Sequence, residues 1–394
     1  MTLTNDMYFA LPKIEKWYEK SIRQIIEISG VVGTGTWQLV QCFIQNIGFD
    51  PREIMYLSYD QKQVIEMAAK RYHAYYITGF MYKYTKVYNF DSIPVINSQS
   101  TKVEYKWEKK LRKKIDPKYK LIIVFDSVLM NEEVLYDLCT FGLPIILIRD
   151  PMMIPAPDTY TFLRDPNITL NELHPDLMKN PIVYFANRII NGQKLVIGNY
   201  DIVSIVSRKN MNLYNLKTAE MILTLSEQTA DAVNHIYREK VLKLKDTTTK
   251  IGERVIIMDD HYTEKIVNPD EKNIKLYLTK GLIGTINKCN RHAESTRYIP
   301  FDFITDFYYE PFVELYLDRY YLNNITNDRS RQEIPDEYVK CKYAYALPIT
   351  LARLSHWDKV TLINDNDDNI DKEIRRKMLY NGVVKARETL TLVI

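Results

Sequence analysis

Short apolar runs alternate with segments of helical periodicity through the first 150 residues of the chain. Four runs have the length and composition of buried strands: residues 25–29, 54–58, 121–125 and 144–148. Helical periodicity predicts an N-terminal helix to about residue 23 and helices ending near residues 46, 73 and 141. Buried strands that alternate with helices are typical of a parallel α/β sheet.

The same pattern returns more loosely after a proline-rich turn at residues 151–157. A helix over residues 181–190 and strands over 201–206, 219–225 and 389–394 predict a second α/β unit. Residues 251–320 differ, because short alternating strands such as 254–258 and 282–286 are separated by polar turns, which predicts a small inserted β-barrel. Residues 83–120 are polar and basic, and predict an irregular insertion in the first unit.

The composition changes this picture only in part. A chain of 394 residues with 46% hydrophobic residues is long enough for two or three domains. The four cysteines form no CxxC pair and the six histidines have no metal-binding spacing, so we expect reduced thiols and no metal. The sequence has no membrane-length apolar run and no signal pattern, which favours a cytoplasmic protein without a membrane partner. Abundant Tyr, Ile, Lys and Asn indicate an AT-rich coding genome, such as that of a phage in its host cytoplasm.

The distribution of charge is more informative than the net charge of +3. Residues 81–120 contain eleven Lys and Arg against four Asp and Glu, so this segment carries +7 and the remainder −4. Aromatic residues are interleaved with the basic ones, a pattern that suits sequence-tolerant binding of DNA. The candidate DNA-binding residues are Tyr105, Trp107, Lys109, Lys110, Arg112, Lys113 and Lys114. A solvated basic helix, or a docking face for an acidic protein, is the alternative interpretation.

A glycine-rich loop follows the first predicted strand. Gly30 and Gly35 match the phosphate-binding pattern G-x-x-x-x-G-K-[ST], but Thr36 takes the place of the lysine and Trp37 that of the Ser or Thr. Threonine has no charge for a phosphate, and an indole has no oxygen for Mg²⁺. Backbone N–H groups still form a candidate nucleotide-binding loop, which comprises Gly30, Gly33, Thr34, Gly35 and Thr36.

Further motifs occur in a recognisable order along the chain. They lie at residues 28–35, 121–124 with 131–133, 150–155, 180–192, 279–286, 343–346 with 355–360, and 379–392. In order and spacing the chain resembles superfamily 1 DNA helicases of the RecD-like and Dda-like kind. The resemblance implies two RecA-like P-loop domains with parallel sheets, at residues 1–165 and at 166–250 with 330–394. It also implies an inserted basic pin at about 83–120 and an inserted small β-barrel at 251–329.

The chain departs from this family at the positions that carry catalysis. Phe125 and Asp126 stand where the family has its Asp-Glu pair, and Met153 replaces the sensor glutamine. Pro175 takes the place of an arginine after His174, and Lys385 that of the finger arginine. Residues 348–354 also lack the polar side chains of the segment that couples ATP to DNA. Together these changes remove the groups on which phosphoryl transfer depends, so we expect no catalytic residues.

The sequence therefore predicts a helicase-like protein without catalysis, acting as an accessory factor that binds DNA, a protein partner, or both. The DNA is expected to be single-stranded or a junction. No cofactor is expected, although binding of ATP without hydrolysis stays open. One alternative is an active ATP-dependent helicase in which Lys62 or Lys385 replaces the loop lysine and Asp126 binds the metal. The other is a purely structural assembly subunit.

Overall fold

The computed structural model of the chain describes residues 3–20, 23–88, 105–155, 165–244, 249–261, 263–267, 274–289, 297–323, 338–353, 355–365 and 370–394. In this part of the chain, no helix is both long and apolar enough to cross a membrane.

The strands of the first half are β1 (Ile25–Gly30), β2 (Ile54–Ser58), β3 (Ala74–Tyr76), β4 (Tyr82–Tyr88), β5 (Tyr105–Leu111), β6 (Leu121–Val124), β7 (Ile145–Arg149) and β8 (Ile168–Leu170). Its helices are α1 (Asn5–Lys20), α2 (Thr36–Ile47), α3 (Gln61–Ala69), α4 (Ile77–Met81) and α5 (Glu132–Cys139). The next helix, α6 (Pro181–Ile190), belongs to the second half, whose core it shares.

Six of these strands form a parallel sheet in the order β3-β2-β6-β7-β1-β8. Alternate residues of a strand point to opposite faces, and both faces are buried. Ile54 and Tyr56 belong to one core, with α1 and α2, whereas Met55 and Leu57 belong to a second core with α5. Because the strands are parallel, the segments that follow β1, β6 and β7 meet at one edge of the sheet.

The strands of the second half are β9 (Gly198–Tyr200), β10 (Val203–Val206), β11 (Met221–Thr224), β12 (Arg254–Ile257), β13 (Glu264–Val267), β14 (Ile274–Tyr277), β15 (Ile283–Cys289), β16 (Tyr298–Thr305), β17 (Phe312–Asp318), β18 (Cys341–Tyr343), β19 (Ala346–Pro348), β20 (Trp357–Ile363) and β21 (Ala386–Val393). Its helices are α7 (Leu213–Thr218), α8 (Glu227–Ile236), α9 (Arg319–Leu322) and α10 (Lys372–Val383).

A second sheet has the order β19-β11-β20-β21-β10-β9. Its strands pair in parallel except β9, which runs antiparallel to β10 at the edge. The helices α6 and α10 contribute to the same core as this sheet. The two sheets confirm the predicted fold class, an α/β protein with parallel sheets of the RecA-like kind.

Between β11 and β19 the chain forms antiparallel structure. Five strands make a sheet in the order β17-β16-β15-β12-β18, and β13 pairs with β14 in a separate two-stranded ribbon. This sheet extends to Tyr343, beyond the predicted boundary at residue 329.

The side-chain amide of Gln61, at the start of α3, attaches the ribbon to the first half of the chain. Its Nε2 atom donates to the carbonyl of Tyr277 at 2.8 Å, and its Oε1 atom accepts from the backbone N–H of Tyr277, also at 2.8 Å. The amide therefore pairs with Tyr277 as a backbone peptide group would.

Several predicted elements differ from those observed. Within residues 83–120, predicted to be irregular, β4 and β5 form an antiparallel hairpin in which Tyr82 pairs with Leu111 and Tyr88 with Tyr105. Lysines hid the strand pattern, because Lys83 and Lys86 in β4 and Lys109 and Lys110 in β5 fall on both faces and interrupt the alternation of apolar and polar residues. The helix predicted to reach residue 73 ends at Ala69, where Arg71 adopts a left-handed φ of 68° and closes the turn.

Candidate functional site

The loop between β1 and α2 has the backbone of a glycine-rich turn. Gly33 and Gly35 have φ values of 95° and 82°, which lie in the left-handed region that favours glycine. Thr34 is fully buried, and its hydroxyl donates to the carbonyl of Val31 at 2.8 Å. A Cβ atom at Gly33 would come within 2.7 Å of Val183 in α6, so the second half of the chain packs directly on this loop.

Hydrogen bonds also connect the loop to distant parts of the chain. The N–H of Val32 donates to the hydroxyl of Tyr380 in α10 at 2.9 Å. The carbonyl of Val32 accepts from the side-chain amide of Asn187 at 3.1 Å, and that of Gly33 accepts from the N–H of His174 at 2.7 Å. One N–H group that could bind a phosphate, that of Val32, and two carbonyls that could bind water are therefore bonded within the protein.

The Tyr380 hydroxyl is the central group of this contact. It accepts from Val32 and donates to the carboxylate of Asp150, which follows β7. The same carboxylate accepts from the N–H of Met152 at 2.8 Å. Burial raises the pKa of Asp150 to about 6, although the hydrogen bonds from Tyr380 and Met152 oppose this shift.

Aromatic rings occupy the side of the loop that faces β2 and β6. The ring centroid of Trp37 lies 5.3 Å from that of Phe125 and 6.1 Å from that of Tyr56. Tyr56 and Phe125 are nearly parallel, at an interplanar angle of 18°. The indole is half-buried and packs on the phenyl ring of Phe125, the residue for which the resemblance predicts a carboxylate. Neither of these rings has an oxygen atom that could bind a metal.

A charged cluster lies where the two halves of the chain meet. Lys385, just before β21, is 1% exposed, and its ammonium donates to the carbonyl of Arg353 at 2.5 Å. Burial lowers the pKa of Lys385, and the carboxylates of Asp126 and Asp60 oppose this shift. Burial likewise raises the pKa of Asp126, and Lys385 and His356 oppose it. Nδ1 of His356 is 3.8 Å from the carboxylate of Asp60.

The remaining positions singled out in the sequence lie around this cluster or apart from it. The ammonium of Lys62 donates to the carbonyl of His356 at 3.2 Å. Met153 is buried, whereas Pro175 is exposed in the turn after His174. Among the residues that the structure describes, no group of three His, Cys, Asp or Glu side chains is placed to hold a metal ion.

The structure separates the candidate DNA-binding residues. The ring of Trp107 packs against His261 with centroids 6.4 Å apart, and Lys109 forms an ion pair with Glu133 at 2.6 Å. Five of the candidates are exposed: Lys109, despite its ion pair, and Lys110, Arg112, Lys113 and Lys114. The side chain of Tyr105 lies outside the described part of the chain. The exposed cations are therefore found mainly at the end of β5 and just after it.

Sequence reasoning missed the residues that close the loop. Tyr380, Asn187 and Val183 lie on helices of the second half, more than 150 residues from Val32 in the sequence. The buried polar positions of α6 and α10 were the available signal, because Asn187 and Asn381 are 6% and 3% exposed and a buried amide requires a partner.

The chain is similar to solved structures of helicases, at low sequence identity. No family model matches the chain, and no curated protein matches it significantly. The chain is similar to the Pif1 helicase from Bacteroides in complex with ADP-AlF3 and single-stranded DNA, at 11% identity and a TM-score of 0.46, covering 100% of this chain and 92% of that one. It is also similar to the Pif1 helicase from Candida albicans (11%, TM-score 0.39, 100% and 95% covered). A third similar structure is the PRRSV helicase (8%, TM-score 0.37, 96% and 54% covered). The fold class rests on the strand order of the chain itself.

Proposed function

We propose that the chain is a helicase-like protein that binds DNA and does not hydrolyse nucleotide. It serves in this proposal as an accessory factor in nucleic-acid metabolism, with a protein partner. The observation that carries the proposal is the packing of Trp37 on Phe125, because these rings stand where the family places its metal-binding hydroxyl and carboxylate. The composition favours a phage-encoded protein that acts inside the host cell.

The side chains around the loop do not fit a magnesium nucleotide. Thr36 supplies no charge to a phosphate, and the rings of Trp37 and Phe125 supply no oxygen to a metal. The ammonium of Lys385 is directed to the carbonyl of Arg353. A bound nucleotide would also have to displace the Tyr380 hydroxyl from the N–H of Val32. Hydrolysis is therefore left out of the proposed mechanism.

A second candidate function follows from the charged cluster. Lys385 of the second half interacts electrostatically with Asp126 of the first half, so a cation and a carboxylate from the two halves are near each other. In this alternative the chain is an active helicase in which Lys385 replaces the loop lysine and Asp126 binds the metal.

Steady-state release of phosphate separates the two functions. We expect no release above background with ATP, Mg²⁺ and an excess of single-stranded DNA. Restoring the motif with Thr36→Lys and Trp37→Thr should not produce turnover, because Phe125 and Lys385 are unchanged. Release that disappears in Asp126→Ala would instead establish the active helicase.

Binding of DNA is tested separately, by fluorescence anisotropy of a labelled single-stranded oligonucleotide. We expect log affinity to fall linearly with log salt, with a slope of about −0.7 for each neutralised phosphate. An absence of salt-dependent binding at low ionic strength would rule out the DNA-binding part of the proposal and favour a structural subunit.

A further inference from the structure

An open groove lies beside the edge strand β3, away from the glycine-rich loop. It has a volume of about 330 Å³ and is bounded by β3 and α4, by the segment after β5, and by strand β14 of the ribbon. This volume is at the low end of the range of small-molecule sites, about 300–1,000 Å³, so the groove holds only a short part of a longer ligand. The open sides allow a chain to enter and leave.

The rim of this groove is basic. Arg112, Lys114, Lys118 and Lys275 line it, against the single carboxylate of Asp116. Lys118 pairs with Asp116 at 3.1 Å, and Lys275 pairs with Glu264 of the neighbouring strand at 2.8 Å. Both ion pairs are exposed, and exposed pairs contribute little to stability, so a phosphate group can replace either carboxylate. Arg112 and Lys114 form no ion pair in the described residues.

The floor of the groove is aromatic. The half-buried rings of Tyr75 and Phe80 lie with centroids 4.9 Å apart. The guanidinium of Arg112 lies 5.2 Å from the centre of the Phe80 ring, and its Nε atom donates to the carbonyl of Phe80 at 2.8 Å. A planar cation held in this way offers a flat surface beside the rings, as single-strand-binding proteins do for nucleobases.

The walls of the groove are held in place by contacts between distant parts of the chain. The hydroxyl of Tyr277 donates to the carbonyl of Gly79 at 3.0 Å. A Cβ atom at position 79 would lie only 2.1 Å from the Tyr277 ring, so glycine is required for this close approach. Together with the Gln61 amide, this contact fixes β14 against α4, and the groove is formed before any ligand arrives.

We propose that this groove binds a segment of single-stranded nucleic acid, with phosphates on the basic rim and bases on the aromatic floor. The inference rests on the proposed DNA-binding function and gives it a location. Charge complementarity selects a polyanion, and the rings favour a nucleic acid over an acidic peptide, because every base has a face that stacks. The groove also gives a role to Arg112 and Lys114, which are exposed and line it, whereas Trp107 packs against His261 outside it.

The test compares three neutralised variants of the full chain. Arg112→Gln with Lys114→Gln removes charge from the rim of the groove. Lys13→Gln with Lys16→Gln is the matched control, because these exposed lysines lie on α1 and do not line the groove. Lys83→Gln with Lys110→Gln removes two lysines that are direct neighbours across the β4–β5 hairpin, and tests the hairpin as the alternative DNA surface. A labelled oligothymidylate is the probe, and thermal unfolding establishes that the variants are folded.

We expect the groove variant to bind at least about tenfold more weakly at low salt, with a salt slope about 1.4 smaller, because two phosphate contacts are lost. The control should bind within about twofold of the parent. An oligonucleotide containing 5-iododeoxyuridine should cross-link under ultraviolet light to a peptide that contains Tyr75 or Phe80.

Three results would contradict either the groove as the binding site or single-stranded nucleic acid as its ligand. If only the hairpin variant loses affinity, DNA binds to the hairpin, and the proposed DNA-binding function still stands without the groove. If polyglutamate displaces the oligonucleotide at a lower concentration than unlabelled DNA does, the occupant is an acidic protein. If the parent itself binds no DNA, the proposed function fails together with this inference.

Discussion

The indole of Trp37 lies against the phenyl ring of Phe125, with 5.3 Å between the ring centroids and 58° between the ring planes. Trp37 lies in the first turn of α2 and Phe125 directly follows β6, and each stands at a position that the resemblance assigns to the binding of magnesium. An aromatic pair of this geometry contributes to stability beyond the area that it buries. The substitutions at these two positions therefore complement each other.

Replacing the indole tests this pair. Trp37→Ala should lower the free energy of unfolding by about 1–3 kcal/mol, less than the loss for a fully buried tryptophan because Trp37 is half-buried. Tyr136→Ala is the control, since Tyr136 is 72% exposed and its loss should change stability by no more than about 0.5 kcal/mol. Urea unfolding measures both, and equal effects would show that Trp37 does not pack as described.

The Tyr380 hydroxyl joins the N–H of Val32 to the carboxylate of Asp150. Tyr380→Phe keeps the ring but leaves both buried groups without this partner, which should cost about 1–3 kcal/mol of unfolding free energy. Tyr309→Phe is the matched control, because Tyr309 is 77% exposed. A loss no greater than that of the control would mean that water satisfies both groups.

The raised pKa of Asp150 gives a pH dependence with a definite sign. The pKa is about 6 in the folded chain and 3.8 as its ordinary value, so the folded state binds the proton more tightly. The stability that this group contributes is therefore complete below its unfolded pKa and is lost as the pH rises through about 6. Asp150→Asn should lose less unfolding free energy than the parent between about pH 4.5 and about pH 7.

An exposed carboxyl group provides the control for this pH series. Lys179 lowers the pKa of Asp176, so Asp176→Asn should leave the pH dependence in this range unchanged. Denaturant titrations at several pH values make the comparison. If the unfolding free energies of the parent and of Asp150→Asn change in parallel with pH, the pKa of Asp150 is not raised in the folded chain.

Lys385 and Asp126 should show energetic coupling. Removing one charge leaves the other buried with less compensation, so Lys385→Met should lose up to about 3–5 kcal/mol of unfolding free energy. The double variant with Asp126→Asn should lose less than the two single variants together, because no uncompensated charge remains. Chemical denaturation of the four proteins gives the coupling energy, and strict additivity would show that the two side chains act independently.

The two parallel sheets could be predicted from the sequence, whereas the hydrogen bonds that close the glycine-rich loop could not. The runs that became β1, β2, β6 and β7 are mostly apolar, since both faces of the sheet are buried, and even the polar Glu27 and Ser29 of β1 are only 2% exposed. The hairpin was missed because its lysines fall on both faces of the strands and make the segment look like a polar loop. The contact between Val32 and Tyr380 joins residues 348 positions apart, and no local pattern reports such a distance.

The pairing of Gln61 with Tyr277 determines which mutations β14 can tolerate during evolution. The amide contacts only backbone atoms of residue 277 through these two bonds, so this part of the attachment does not depend on the side chain found there. Neighbouring residues of a strand direct their backbone groups to opposite sides. Substitutions in β14 would therefore leave the link intact, whereas an insertion or deletion of one residue would turn the matching peptide groups away from Gln61. At this contact, mutation is constrained more by the length of the strand than by the identity of its side chains.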